Sequence, residues 1–240
     1  MHMKKAWIIR GGWPGHDPVN TTDRFAAMLR GQGFETCVFD TLDVLGDTDA
    51  LGQVDLLVVS WTMGEIDGAY TANVSKAVAA GMGLAGCHGG LCDAFRGDTL
   101  WQYMTGGQWV AHPGNDGVTY TVHVTADDPI TAGIGNFTVT SEQYYMHVDP
   151  AIEVLATTRF PSVCGYAMTN KPVDMPVAWT KMWGNGRVFY TSLGHKDTVF
   201  EKVPEASLLM ERGMLWAAEG RAIALREGLT IDRFESGERL

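Results

Sequence analysis

Four histidines of this chain, His88, His112, His147 and His195, stand among glycine, proline or polar residues instead of inside apolar runs. An imidazole so placed serves as a metal ligand or a proton carrier. His88 is at the centre of Gly86-Cys87-His88-Gly89-Gly90, in the register of a nucleophile elbow, where glycines allow a tight strand-to-helix turn that exposes the middle side chain. That register leaves Cys87 as a buried strand-end residue. His112 lies in the glycine-rich stretch Gly106–Gly114, which reads as a loop. His147 closes Ser141-Glu142-Gln143-Tyr144-Tyr145-Met146-His147, a polar break between apolar runs, and His195 ends Leu193-Gly194-His195. Three or four such ligands, with a carboxylate among them and a position left for water, would hold zinc or manganese. Glu142, Glu65 and Asp17 are the carboxylates expected to move a proton, and His88 is expected to share in the catalysis. The sequence contains neither HExxH nor CxxC, and Cys87 and Cys92 have no second pair at zinc-ribbon spacing.

The aromatic residues point to the substrate. Of eight tryptophans, Trp13, Trp61, Trp109 and Trp183 fall in or beside loops, whereas Trp7, Trp179 and Trp216 read as core packing. An indole face beside polar groups is a platform for a sugar ring, so Trp13, Trp61 and Trp109, together with His16 and Tyr144, are the expected substrate contacts. Gly11–Gly15 matches neither GxGxxG nor GxxxxGK[ST], which argues against a nucleotide. Lys and Arg number 18 against 28 Asp and Glu, a net charge of −10, and they form no cluster. That balance excludes nucleic acid and anionic membrane as expected partners. No apolar run approaches the ~18 residues of a membrane span, and the first twenty residues do not read as a signal peptide. Four cysteines in a chain of this size make no disulfide framework, so a reducing cytoplasm is the expected location.

These residues are positioned by alternating elements. Short apolar runs at 6–10, 35–39, 55–60 and 83–87 read as strands. Helical periodicity from Thr22 to Gly31, with Phe25, Met28 and Leu29 on one face, and from Tyr70 to Ala80 separates them. Strand and helix at this spacing make βαβ units on a parallel sheet. The second half changes character: Val118–Thr125 and Phe137–Thr140 alternate as antiparallel strands do. Val177–Trp183 and Arg187–Leu193 flank an Asn-Gly hairpin signal. Pro204 opens a helix expected to end near Gly220 and to bury Leu208, Leu209, Leu215 and Trp216. The expectation is one α/β domain over residues 4–220, with a mixed, mainly parallel sheet, and a charged surface appendage over 221–240. In open α/β sheets ligands bind beyond the carboxyl ends of the strands. The loops carrying His16-Asp17, Trp61–Glu65, His88 and His195 all begin at such ends.

Several of these segments together resemble the ThuA-like (trehalose utilisation) family. They are Gly11-Gly12 with His16-Asp17, Trp61-Thr62-Met63-Gly64-Glu65-Ile66, Gly81–Gly90, and Gly106-Gly107-Gln108-Trp109 with His112-Pro113. Pro129-Ile130-Thr131 with Gly133, Ser141-Glu142-Gln143-Tyr144, Pro176–Trp179, and Gly184–Thr191 with Gly194-His195 follow in order. Asp127-Asp128 departs from the His-Pro often found before Pro129. The resemblance implies the flavodoxin-like fold of class I glutamine amidotransferases, with His88 where those enzymes carry their cysteine, so glutaminase chemistry is not expected. It also implies a bound divalent metal and a role in processing oxidised (3-keto) sugars or glycosides made by a partner dehydrogenase. The fold is compatible with homo-oligomers. The leading expectation is a cytoplasmic, metal-dependent hydrolase, lyase or isomerase acting on a small-molecule sugar derivative. The rivals are a non-catalytic sugar-binding or regulatory protein and acyl transfer through Cys87 or Cys92.

Overall fold

A computed structural model describes residues 3–235 apart from Gly165, Tyr166 and Thr169. The first half runs β1 (Lys5–Gly12), α1 (Pro18–Gly31), β2 (Glu35–Phe39), α2 (Thr48–Leu51), β3 (Leu56–Thr62), α3 (Gly68–Ala79) and β4 (Gly83–Cys87). Then come α4 (Gly89–Cys92), α5 (Thr99–Thr105), β5 (Gly107–Ala111), β6 (Val118–Val124), β7 (Phe137–Ser141) and β8 (Tyr145–Val148). The chain continues with β9 (Glu153–Phe160), β10 (Val163–Cys164), β11 (Ala167–Met168), β12 (Val173–Trp183), β13 (Gly186–Thr191), α6 (Asp197–Lys202), α7 (Pro204–Glu227) and α8 (Asp232–Glu235).

Nine strands form one sheet in the order β2-β1-β3-β4-β13-β12-β9-β6-β7. Pairing is parallel from β2 to β13 and antiparallel from β13 to β7. The central β3, Leu-Leu-Val-Val-Ser-Trp-Thr, is buried over nearly its whole length because helices cover both faces. One face packs Phe25, Leu29, Leu209, Met210 and Met214 of α1 and α7 against Ile8, Val58 and Phe189. The other packs Val74, Val78, Trp101 and Met104 of α3 and α5 against Ile9, Val59, Trp179 and Tyr190.

Several elements differ from the sequence reading for identifiable reasons. α1 starts at Pro18, not Thr22, because proline at the first helical position has its φ already set and no N–H to satisfy. α7 runs through Gly220 to Glu227 and stops at Gly228, whose φ of 64° caps it. Its buried seam is Ala206, Leu209, Met210, Gly213, Met214, Ala217 and Ala218, with Leu208, Leu215 and Trp216 flanking it. Small residues hold the seam because the helix lies directly on Phe189 and on the backbone of Gly83. The expected surface appendage therefore begins as a continuation of this helix; residues 236–240 of that segment lie outside the described residues. The hairpin turns at Gly184-Asn185, with Trp183 opposite Gly186 and the positive φ of 59° on Gly184. That one-residue shift suits a two-residue turn with glycine first.

Gly106–Gly114, read as a loop, contains strand β5. It pairs antiparallel with β8, Trp109 opposite Met146 and Gln108 opposite His147. The glycines here serve close approach: a Cβ on Gly107 would stand 2.8 Å from the Trp179 ring. Trp179 itself is wholly buried and donates from Nε1 to the Thr105 carbonyl at 3.0 Å. Replacing it with alanine leaves a large cavity and an unpaired carbonyl. Trp179→Ala is therefore expected to lower unfolding free energy by about 3–5 kcal/mol, read from the urea midpoint at unchanged slope.

Candidate metal centre at the carboxyl edge of the sheet

Four buried side chains, His16, His88, Glu142 and His195, each bring one ligand atom to within 4.8 Å of all the others. They arrive from four parts of the chain. β1 ends at Gly12, and a single 3-10 turn, Pro14–His16, carries His16 under the sheet edge. β4 ends at Cys87, so His88 sits at the apex of the turn into α4 with φ 50° and ψ −140°. That sparsely populated backbone conformation aims the ring inward, as the elbow register requires. β13 ends at Thr191 and the chain turns at Gly194 (φ 96°) to present His195. Glu142 comes from the connection between β7 and β8, on the antiparallel side.

The geometry converges on one oxygen. Glu142 Oε2 lies 3.0 Å from His88 Nε2, 3.3 Å from His195 Nδ1 and 3.9 Å from His16 Nε2. The other nitrogen of each ring faces an oxygen: His88 Nδ1 the Ser192 carbonyl at 2.8 Å, His16 Nδ1 the Thr62 hydroxyl at 2.8 Å, and His195 Nε2 the Asp116 carboxylate at 3.6 Å. A carbonyl can only accept, so His88 carries its proton on Nδ1, and a neutral His88 turns the lone pair of Nε2 toward the carboxylate. His195 Nδ1 is buried without a hydrogen bond. A pocket in which imidazole nitrogens and a carboxylate share one point could hold a cation at that point.

Burial, followed by the neighbouring His88 and His195, pushes His16 down to about 3. Burial likewise lowers His88, against the opposing pull of Glu142 and the Ser192 carbonyl. Burial alone would raise Glu142, but its contacts with His195 and His88 outweigh this and hold it well below the usual carboxylate range. At neutral pH His16 and His88 are thus neutral imidazoles beside an ionised carboxylate, the protonation that a divalent metal requires of its ligands.

Aromatic rings shape the surroundings. Tyr144, 2% exposed, stacks on His88 at 3.9 Å between ring centroids. Trp13 meets His16 edge-on at 4.8 Å and keeps 45% of its surface exposed. Trp61 lies across Gly11 and Gly64, where a Cβ would strike its ring. Trp109 packs beside His112 and Tyr144 and under the Arg96 guanidinium. Gly89 abuts His16, for a Cβ there would fall 2.6 Å from the imidazole.

Of the residues expected to ligate, the structure brings His88 and His195 into the cluster. His112 stands one step outside, half-buried, with Nε2 at 3.9 Å from the other carboxylate oxygen, Oε1. His147 is exposed on β8, because strand alternation buries Met146 instead and turns His147 outward. His16, read as a substrate contact, joins the cluster because the 3-10 turn folds it inward. Glu142, read as a proton carrier, stands at the centre of the cluster. Glu65 is exposed in the loop after β3 and lines a separate surface cavity with Phe95 and Thr99. Asp17 takes a left-handed conformation (φ 48°) to start α1, and its carboxylate accepts from Asn20 at 2.7 Å. Sequence reasoning did not find Thr62, Ser192 or Asp116, which face the outer nitrogens of the three histidines.

The elbow thus stands at the carboxyl edge of a mixed α/β sheet of nine strands flanked by helices, the α/β class that the sequence led one to expect. A family model described as ThuA, trehalose utilisation, matches residues 5–217, and the chain belongs to that family. Among solved structures it is similar to a ThuA-like protein of Bacteroides uniformis, at TM-score 0.70 and 18% identity over 90% of this chain and 91% of the other. It is similar to a ThuA-like protein of Parabacteroides merdae, at TM-score 0.70 and 17% identity over 92% and 91%. A β-galactosidase of Bacillus circulans shares the fold at TM-score 0.55 and 12% identity, over 95% of this chain but 32% of that enzyme. Comparison with the curated proteins finds no sequence match.

The two elbow-side cysteines are chemically quiet. Burial raises the Cys87 thiol to about 12, and Cys92 is also raised well above its usual value. A thiol at that value is only about one part in ten thousand thiolate at pH 8. Iodoacetamide at pH 8 is therefore expected to modify the exposed Cys37 and to spare Cys87 and Cys92 in the folded protein, read by peptide mass. Rapid labelling of Cys87 would restore thiol chemistry as a contender.

Proposed function

We propose that this protein is a divalent-metal-dependent enzyme of carbohydrate metabolism, a hydrolase, lyase or isomerase acting on an oxidised sugar such as a 3-keto-glycoside. The observation that carries the reading is the convergence of three imidazole nitrogens on Glu142 Oε2, each ring backed by an oxygen on its outer side. That is how metal-binding histidines are held. His16, His88, His195 and Glu142 would hold the ion, and their N/O character fits zinc or manganese. A bound divalent ion supplies Lewis acidity toward a sugar carbonyl or hydroxyl, or toward water.

The remaining work falls to the chain. Glu142 turns Oε2 to the histidines and Oε1 toward His112, so the carboxylate and His112 are together placed to take a proton from a substrate carbon or oxygen. A ketone at C3 acidifies the neighbouring C–H, which is why one base serves elimination and isomerisation as well as hydrolysis. Trp13 offers its exposed face beside His16 for a pyranose ring, and Trp61 and Trp109 extend the aromatic surround. The cations near the mouth are matched: Arg96 binds Asp93, and Lys196 lies 3.0 Å from Asp116. This favours an uncharged sugar over a phosphate ester. The reading places the protein in the cytoplasm, after a dehydrogenase that oxidises C3.

Elemental analysis of the purified protein is expected to give about one zinc or manganese per chain. His16→Ala and His88→Ala should each weaken metal affinity more than about tenfold with little change in melting temperature, whereas His147→Ala should leave affinity unchanged. Equal loss in His147→Ala would misplace the centre.

A thermal-shift panel of glycosides, 3-keto-glycosides, sugar phosphates and nucleotides should show stabilisation by an unphosphorylated sugar. Stabilisation without turnover of any sugar would make the protein a binding module, and a response to phosphates alone would overturn the substrate class.

A further inference from the structure

The loop between β5 and β6, His112–Gly117, touches the centre at both of its ends, and nothing in the sequence reading assigns Asp116 a role. At one end His112 Nε2 faces Glu142 Oε1 at 3.9 Å. At the other, Asp116 Oδ2 lies 3.6 Å from His195 Nε2 and 3.0 Å from Lys196 Nζ. Gly114 and Asn115 between them and Gly117 just beyond all take positive φ, 93°, 55° and 104°, so the path turns tightly on left-handed residues. Beneath the loop two buried nitrogens, His112 Nδ1 and Trp109 Nε1, have no hydrogen-bond partner.

His195 differs from the other two histidines in how it is held. His88 and His16 lean on groups fixed to the sheet: the Ser192 carbonyl just past β13 and the Thr62 hydroxyl at the end of β3. The outer nitrogen of His195 faces only a carboxylate that arrives on this half-exposed loop. A ring with no acceptor on Nε2 is free to place its proton on Nδ1, and a protonated Nδ1 cannot ligate. We propose that Asp116 is the positioning residue for His195: its carboxylate, 3.6 Å from Nε2, favours the tautomer protonated there through its charge and so leaves Nδ1 for the metal. Because Asp116 is carried by the loop, metal binding and loop closure are one coupled event. An ion held at Nδ1 would favour the tautomer that Asp116 backs, so ion binding and the seat of this loop on His195 would stabilise one another. This inference rests on the metal centre proposed above.

The test titrates zinc and manganese into metal-stripped full-length protein by calorimetry and follows hydrogen–deuterium exchange of residues 112–117 with and without metal. In the wild type, metal is expected to slow exchange across the loop. Asp116→Ala is expected to weaken metal affinity about 10–100-fold, the usual effect of removing a carboxylate that backs a ligating histidine. At saturating metal its loop should exchange as in the metal-free protein. Asp116 is half-exposed, so its metal-free melting temperature should match the wild type. Lys196→Ala, which removes the other partner of Asp116, should keep wild-type affinity. Wild-type affinity in Asp116→Ala, or a loop still protected by metal in that variant, overturns the proposal while leaving the centre intact. An equal loss in Lys196→Ala also overturns it, by assigning the effect to the ion pair. A wild type that binds neither metal removes the centre itself, and this inference with it.

Discussion

Three imidazole nitrogens and one carboxylate oxygen share a volume a few ångströms across, almost wholly buried, and most of the local structure follows from making that arrangement tolerable. A buried carboxylate costs several kcal/mol in lost hydration unless its surroundings return the charge stabilisation. Neutral rings that present nitrogens to the carboxylate at 3.0–3.9 Å return little of it, so a cation held between them would have to supply the rest. Each backing oxygen has its own requirement. Ser192 must follow β13 directly so that its carbonyl meets His88, and Thr62 must end β3 so that its hydroxyl meets His16. His88 must accept a backbone conformation that costs of order 1–3 kcal/mol. Its N–H donates to the Thr191 carbonyl at 2.7 Å, and its carbonyl accepts from the Tyr190 hydroxyl at 3.1 Å, so the strained turn is pinned on both sides.

The mixed sheet is what lets these requirements coexist. The parallel half delivers chain ends to one edge at regular spacing, which is how His16, His88 and His195 meet although they are far apart in sequence. Parallel strands alone would surround the centre with loops that all rise from one edge. The antiparallel half supplies the carboxylate and the stacked Tyr144 from the β7–β8 connection, and these close the pocket from the side. β13 belongs to both halves, parallel to β4 and antiparallel to β12. The close packing of α7 on β13, with Gly213 against Phe189, keeps that junction rigid.

Much of this was legible in the chain because local signals agreed with the global fold. β2 and β4 were bounded correctly by their apolar runs, and the glycines around His88 announced the elbow. His88 and His195 stood out because each ends a strand on the functional edge. What stayed hidden was set by contacts between distant segments. His147 reads from sequence like any other polar-flanked histidine, and only pairing with β5 turns it outward. Gly106 and Gly107 look like loop residues, yet their lack of side chains serves the Trp179 ring. His16 owes its inward position to a 3-10 turn ended by a left-handed Asp17, a conformation that composition does not advertise. The long seam of α7 followed its small residues, because a helix pressed onto a strand buries what can approach most closely.

The seat of β13 between β4 and β12 also governs how the molecule comes into being. Val188 pairs with Leu84, so one edge of the early parallel sheet stays unpaired until the last third of the chain has been made. During synthesis a nascent chain with β1, β3 and β4 assembled would present β4 as a bare apolar edge, the kind of surface on which chains associate wrongly. Contacts of such long range are slow to form, because the intervening loop must be closed before they return any stability. His195, the member of the cluster that lies beyond β13, is therefore the last to arrive. Completion of the histidine cluster thus coincides with burial of the vulnerable edge, and rapid docking of the β12–β13 hairpin shortens the time for which β4 is bare.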